Sequence, residues 1–159
     1  MRPGAFSDVN QDKENESSTK FVHAARLLLG VTFVVFGANG LLRFFPLPDL
    51  PTPARALMDA LCGSGYLMTF VNATEIVAGL LLLANRFVPL ALTLLAPVVV
   101  NIVAFHLFLD RAGLPIAMFV LALEIFLARA YFRAFRAMLA ARVSPEGTLV
   151  PFESAPLSR

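Results

Sequence analysis

Six polar side chains interrupt otherwise apolar stretches of this chain: Asn39, Asn72, Glu75, Asn101, His106 and Glu124. Their types suit proton handling beside a hydrogen-bonded ligand. A carboxyl surrounded by hydrocarbon either keeps its proton or finds a partner, and both conditions serve proton transfer. Imidazole exchanges protons near neutral pH, and a carboxamide offers both donors and acceptors. Spacing ranks the candidates. Asn72 and Glu75 are three apart and share a helix face, and His106 stands four before Asp110, close enough to pair with it. Asn101 and His106 are five apart, roughly 140° around a helix axis, so one narrow pocket does not easily use both. Glu75 and His106 are therefore the candidate catalytic pair, with Asn72, Asn101, Asn39 and Glu124 as candidate substrate-binding groups. The competing reading is structural: the same groups hold helices together by satisfying one another, Glu124 included.

Holding such groups at depth requires membrane-spanning helices. The 159 residues are 58% apolar and 15% charged, with a mean hydropathy of +0.74, well beyond what one soluble core of this size needs. Four spans are predicted, at about residues 21–45, 65–84, 87–109 and 114–132, forming an all-α integral membrane four-helix bundle within a membrane domain at 21–143. Gly30, Gly37 and Gly40 fall on one face of the first span, where a neighbouring helix can approach closely. Pro46, Pro48, Pro51 and Pro53 end that span, and a short amphipathic helix from about Pro53 to Leu61 is expected on the outer surface. Pro97 lies near the middle of the third span and should kink it, opening space beside Asn101. Residues 1–20 are rich in Asp, Glu, Asn and Ser and read as a disordered polar tail, and 144–159 read as a flexible C-terminal tail.

Lysine and arginine set the orientation. Arg26, Arg86, Arg129, Arg133 and Arg136 fall on the side of the two termini, and only Arg43, Arg55 and Arg111 fall on the other, so both termini are expected in the cytoplasm. With that topology, the helix rise puts His106 ~6 Å below the outer surface, Asn39 ~9 Å, Asn72 ~10 Å, Asn101 ~13 Å, Glu75 ~15 Å and Glu124 ~16 Å. One depth band across four helices implies a polar pocket in the outer half of the bilayer. At the opposite surface, Arg129, Arg133 and Arg136 recur along one face of a cytoplasmic extension of the fourth helix, a stripe suited to lipid headgroups.

Several chemistries are excluded. Cys62 is the single cysteine, so the chain has neither an internal disulfide nor a CxxC pair. No His, Cys and carboxylate cluster has metal-ligand spacing, no glycine-rich phosphate loop occurs, and the basic residues form no nucleic-acid-binding surface.

Ala25-Arg26-Leu27-Leu28-Leu29-Gly30 with Phe36-Gly37-Ala38-Asn39-Gly40, then Ser64-Gly65-Tyr66 leading to Glu75 and Ala78-Gly79-Leu80-Leu81-Leu82-Leu83, then Asn101-Ile102 with Phe105-His106, resemble the DoxX-like family of small bacterial membrane proteins. The resemblance covers about residues 21–132. It implies a four-helix bundle in the bacterial inner membrane. It also implies a link to redox chemistry, since the family takes its name from a subunit of a thiosulfate:quinone oxidoreductase. Some relatives are tied to membrane redox complexes or oxidative-stress defence. It supplies no catalytic residues to carry over.

The function expected from these readings is a quinone-interacting subunit of a membrane oxidoreductase. A quinone headgroup needs donors at its carbonyls and a proton route, and its tail needs an apolar slot. The chain has no paired haem ligands, iron–sulfur cysteine set or flavin motif, so electrons come from a redox partner subunit or a diffusible reductant. The alternative is a non-catalytic scaffold or assembly factor for a redox enzyme. Transport of a small solute or proton is the third reading, but four spans without an internal repeat leave little for alternating access unless the chain forms a homo-oligomer.

Overall fold

The computed structural model describes residues 5–46 and 49–138, so the expected tail at 144–159 lies outside the described residues. Among the described residues six α-helices follow one another: α1 Ala5–Leu42, α2 Thr52–Gly63, α3 Leu67–Leu83, α4 Val88–Phe108, α5 Leu114–Ala130 and α6 Phe132–Met138, with a 3-10 turn at Arg111–Gly113. There is no strand among the described residues. Helices α1, α3, α4 and α5 close a ring in which α1 packs on α3, α3 on α4, α4 on α5 and α5 back on α1. Gly30 meets Gly79, and Gly37 meets Asn72 and Glu75, so α1 and α3 run antiparallel.

Local chemistry sets the helix ends. Pro53, Pro89 and Pro115 sit in the first turns of α2, α4 and α5, where no intrahelical N–H is lost. At the end of α3, Asn85 adopts φ 54°, its N–H bonds the Leu82 carbonyl at 3.1 Å, and the Arg86 N–H bonds the Leu81 carbonyl at 3.0 Å. These are the two bonds of a Schellman cap, and Asn tolerates the left-handed conformation it needs. The cap turns the chain straight into α4.

Helix α1 begins at Ala5, so the stretch expected to be a separate disordered tail through residue 20 is the first part of one long helix from that residue onward. The run after Pro3 lacks proline until Pro46 and contains the i,i+4 pair Glu16–Lys20, joined at 2.8 Å. Composition marked it as polar, but local pairing and propensity let the helix continue through it. The extension of the fourth helix is likewise different from expectation: α5 ends at Ala130 and α6 restarts at Phe132 after a turn at Tyr131. Through Pro97, by contrast, α4 continues as one helix.

Among the described residues, Glu16–Leu42, Val88–Phe108 and Arg111–Ala130 are long and apolar enough to cross a membrane. Helix α3 has 17 residues, about 26 Å of rise against a hydrocarbon thickness of about 30 Å. Helix α2 meets it at 89° and lies across the end of the bundle, and only when the two are counted together is the pair long and apolar enough for a fourth, broken span. Phe36, Phe70, Phe108, Ile116 and Phe119 are exposed around the outside, where lipid is the solvent. The protein is an all-α membrane bundle.

Its interior is layered. Toward the Asn85 end, Leu29 and Phe33 of α1, Leu82 of α3, Leu92 and Leu95 of α4 and Leu127 of α5 form an apolar core. Lipid tails are as apolar as leucine, so this core holds by close packing rather than by escape from water. Small residues set the distance. A Cβ on Gly79 would stand 2.8 Å from the Gly30 carbonyl oxygen, and one on Gly37 would stand 2.8 Å from the Asn72 carbonyl oxygen. Only glycine at both positions allows α1 and α3 to lie this close.

Candidate functional site

The inward stripe of α3 reads Asn72, Glu75, Ala78, Gly79, Leu82, a 3.6-residue repeat that changes from apolar to polar toward the His106 end of the bundle. Asn72 is 3% exposed, with its carboxamide against Gly40 of α1. Glu75 is also buried, its Cβ against the backbone at Gly37, and it makes no hydrogen bond or ion pair with another described residue. On α1, Asn39 is buried, and its Oδ1 accepts the Phe45 N–H at 2.6 Å, tying down the chain just after the helix ends. Asn39 thus has a structural partner. Asn72 and Glu75 lie in the close-packed α1–α3 seam.

His106 lies on the α4 stripe seven residues after buried Val99, so it faces the bundle. Its Nδ1 stands 3.0 Å from the Asp110 carbonyl oxygen and 3.4 Å from Asp110 Oδ2. A carbonyl only accepts, so Nδ1 carries the proton and donates it. The ring packs against Gly113, and Asp110 Oδ1 accepts the Ala112 N–H at 3.4 Å. His106 therefore fastens the α4–α5 connection. No hydrogen bond or ion pair joins it to Glu75, so the two expected catalytic residues belong to different contacts, one in the α1–α3 seam and one in the α4–α5 connection.

Asn101 is exposed on the outside of α4. It follows Val99, which is fully buried, by two residues, about 200° around the axis. The expected placement of Asn101 in an interior pocket is therefore corrected by helical phase: α4 continues as one helix across Pro97, with Val99 buried and Asn101 exposed on the opposite face.

Glu124 occupies the inward stripe of α5 with Ala117, Val120 and Leu127, and is 6% exposed. It lines a groove of about 310 Å³ between α4 and α5, with Leu92, Ala96 and Val100 on one wall, Leu121, Ile125 and Ala128 on the other, and Phe135 of α6 at one end. Its Oε1 is buried with no hydrogen-bond partner. The other polar side chain in the lining, Thr93, already donates its hydroxyl to the Pro89 carbonyl oxygen at 2.8 Å. The groove is an apolar slot with one uncommitted carboxyl. A second hollow of about 580 Å³, between α1 and α5, is walled by Phe21, Ala24, Leu28, Leu123 and Phe126 and has no ionisable side chain among its lining residues. Neither hollow is lined by Glu75, Asn72, Asn39 or His106.

Arg26 was not among the residues expected to contribute to the site. It is buried, and its Nη1 donates to the Leu82 carbonyl, which also accepts the Asn85 N–H, and, at 3.3 Å, to the Leu83 carbonyl, an orphan acceptor at the end of α3. The signal was present. Arg26, Gly30, Phe33 and Gly37 repeat at four, three and four, so Arg26 shares the glycine face that meets α3. Arg129, Arg133 and Arg136 are all exposed at that same end, on two helices rather than one.

The sequence model of the DoxX family matches residues 21–108. No curated protein and no solved structure matches the chain. The matched stretch holds the α1–α3 seam and α4 but stops before α5 and Glu124.

Proposed function

The chain belongs to the DoxX family of membrane proteins, and from that premise we propose that it is a quinone-interacting subunit of a membrane redox system, with the α4–α5 groove as the quinone site. The observation that carries this reading is the buried, unpartnered Glu124 Oε1 in an otherwise apolar groove. A quinone carbonyl accepts one hydrogen bond, and an un-ionised carboxyl donates one. The groove volume of about 310 Å³ lies at the lower end of ligand-pocket sizes, about 300–1,000 Å³, and so suits a single ring with its tail left in the bilayer. Reduction of the ring takes two electrons and two protons. A partner subunit or a diffusible reductant supplies the electrons, and Glu124 is positioned to pass protons to a bound carbonyl oxygen. Glu75 and His106 then serve the architecture, one in the seam and one at the α4–α5 connection. The bias of Arg26, Arg86, Arg129, Arg133 and Arg136 toward the Asn85 end supports a bacterial inner-membrane orientation with both termini cytoplasmic.

The test is to extract the protein into native lipid discs and measure quinone per protein against bulk lipid. Glu124→Leu removes the donor with an apolar side chain that a membrane helix accepts. Loss of one hydrogen bond worth about 1 kcal/mol lowers the enrichment about fivefold. Glu75→Gln should leave it unchanged. Equal quinone in the natural chain and in folded Glu124→Leu would remove this reading and leave the scaffold.

A further inference from the structure

Asn101 presents a problem the fold does not solve. It lies on the exposed face of α4, about 10 Å in from the helix end at Phe108, too deep for so short a side chain to reach the headgroups. Its carboxamide makes no hydrogen bond with another described residue. Hydrocarbon offers it none, and leaving an amide unpaired there costs a few kcal/mol. The surrounding face carries no charge: Leu94 and Pro97 precede Asn101 at helical spacing, and Ala104 and Phe108 follow it. Ala104 is small enough to let another helix come close.

We propose that this face of α4 is the docking surface for a second copy of the chain, α4 against α4 about a two-fold axis, with the two Asn101 carboxamides exchanging hydrogen bonds. The carboxamide itself argues for this occupant. It holds a donor and an acceptor side by side, so it is its own complement, and a two-fold axis through the contact gives each copy one bond in each direction. The contact adjoins the Glu124 groove without using its lining: Ala96 and Val100 face the groove, whereas Pro97 and Asn101, one residue on, face the partner. Self-association and quinone binding are therefore separable.

The experiment uses the full chain in lipid vesicles, with the dimer fraction followed by energy transfer between labelled copies as the lipid-to-protein ratio is raised. The natural chain should associate, and Asn101→Leu should weaken association roughly fivefold or more while leaving the helices inserted, since leucine suits lipid better than asparagine. Asn101→Gln, which keeps the carboxamide, should retain part of the association. In a Cys62→Ser background, Ala104→Cys should form a disulfide-linked dimer on oxidation, whereas Phe119→Cys, exposed on α5, should not. Equal association of the natural chain and Asn101→Leu overturns the proposal, as does a monomer at every ratio. Disulfide formation by Phe119→Cys as readily as by Ala104→Cys also overturns it, since the contact would then not be specific to this face. The quinone content of Asn101→Leu should match that of the natural chain, so failure here is distinct from failure of the groove.

Discussion

The α1–α3 seam and the α4–α5 groove each bury one carboxyl on an inward helix stripe, and they differ in how close the helices come. In the seam, Gly30, Gly37 and Gly79 let backbone meet backbone, and Glu75 lines neither of the two hollows. In the groove, the walls are leucine, isoleucine, valine and alanine with Thr93 and Phe135, no glycine lines the gap, and about 310 Å³ remains next to Glu124. The same residue type at similar burial therefore has different access. Interhelical distance, fixed by residues one turn away, decides whether a buried carboxyl can meet a ligand.

The largest effect should come from spoiling the close approach. Gly79→Ala puts a methyl 2.8 Å from the Gly30 carbonyl oxygen and 3.0 Å from the Val34 nitrogen, backbone atoms that cannot swing aside. The expected cost is about 1–3 kcal/mol, read as a lower unfolding free energy in mixed micelles. An alanine as stable as the natural chain would mean that the seam is looser than its glycines imply. Filling the other region should do the opposite. Ala128→Leu extends into the groove, where there is room, and should leave stability within about 1 kcal/mol while reducing quinone per protein about as strongly as Glu124→Leu. The smallest effect belongs to Glu75→Gln, nearly isosteric in the seam, which should change quinone content not at all.

Much of this contrast could be read from the sequence, and the remainder depended on phase and distance. Hydropathy runs and proline positions located α3, α4, α5 and the end of α1 to within a few residues, and the Gly30, Gly37, Gly40 spacing marked the face that meets α3. Depth estimates from helix rise grouped the polar residues in one band, but depth says nothing about direction around the axis. Asn101 shows the gap: its depth suited a pocket, while its phase relative to Val99 turned it outward. His106 had the right phase but was already engaged by Asp110 and Gly113. Arg26 was counted as a positive charge at a span end, and only the packing of α1 on α3 showed it capping the Leu82 and Leu83 carbonyls. The polar start of α1 escaped because composition alone does not register the i,i+4 pairing of Glu16 with Lys20. Which carboxyl has room beside it followed from helix separation, which no periodicity encodes.

The most direct measurement compares the two carboxyls with one reagent. N,N′-dicyclohexylcarbodiimide dissolves in the bilayer and adds to an un-ionised carboxyl, the carboxyl proton passing to a carbodiimide nitrogen and the oxygen attacking the central carbon. Peptide mapping of the protein in lipid discs should find the adduct on Glu124 and not on Glu75, and a decyl-substituted benzoquinone should protect Glu124 where decylbenzene does not. Adduct on Glu75 in preference to Glu124, or equal protection by both compounds, would contradict the assignment of the groove as a carbonyl-binding site open to the membrane.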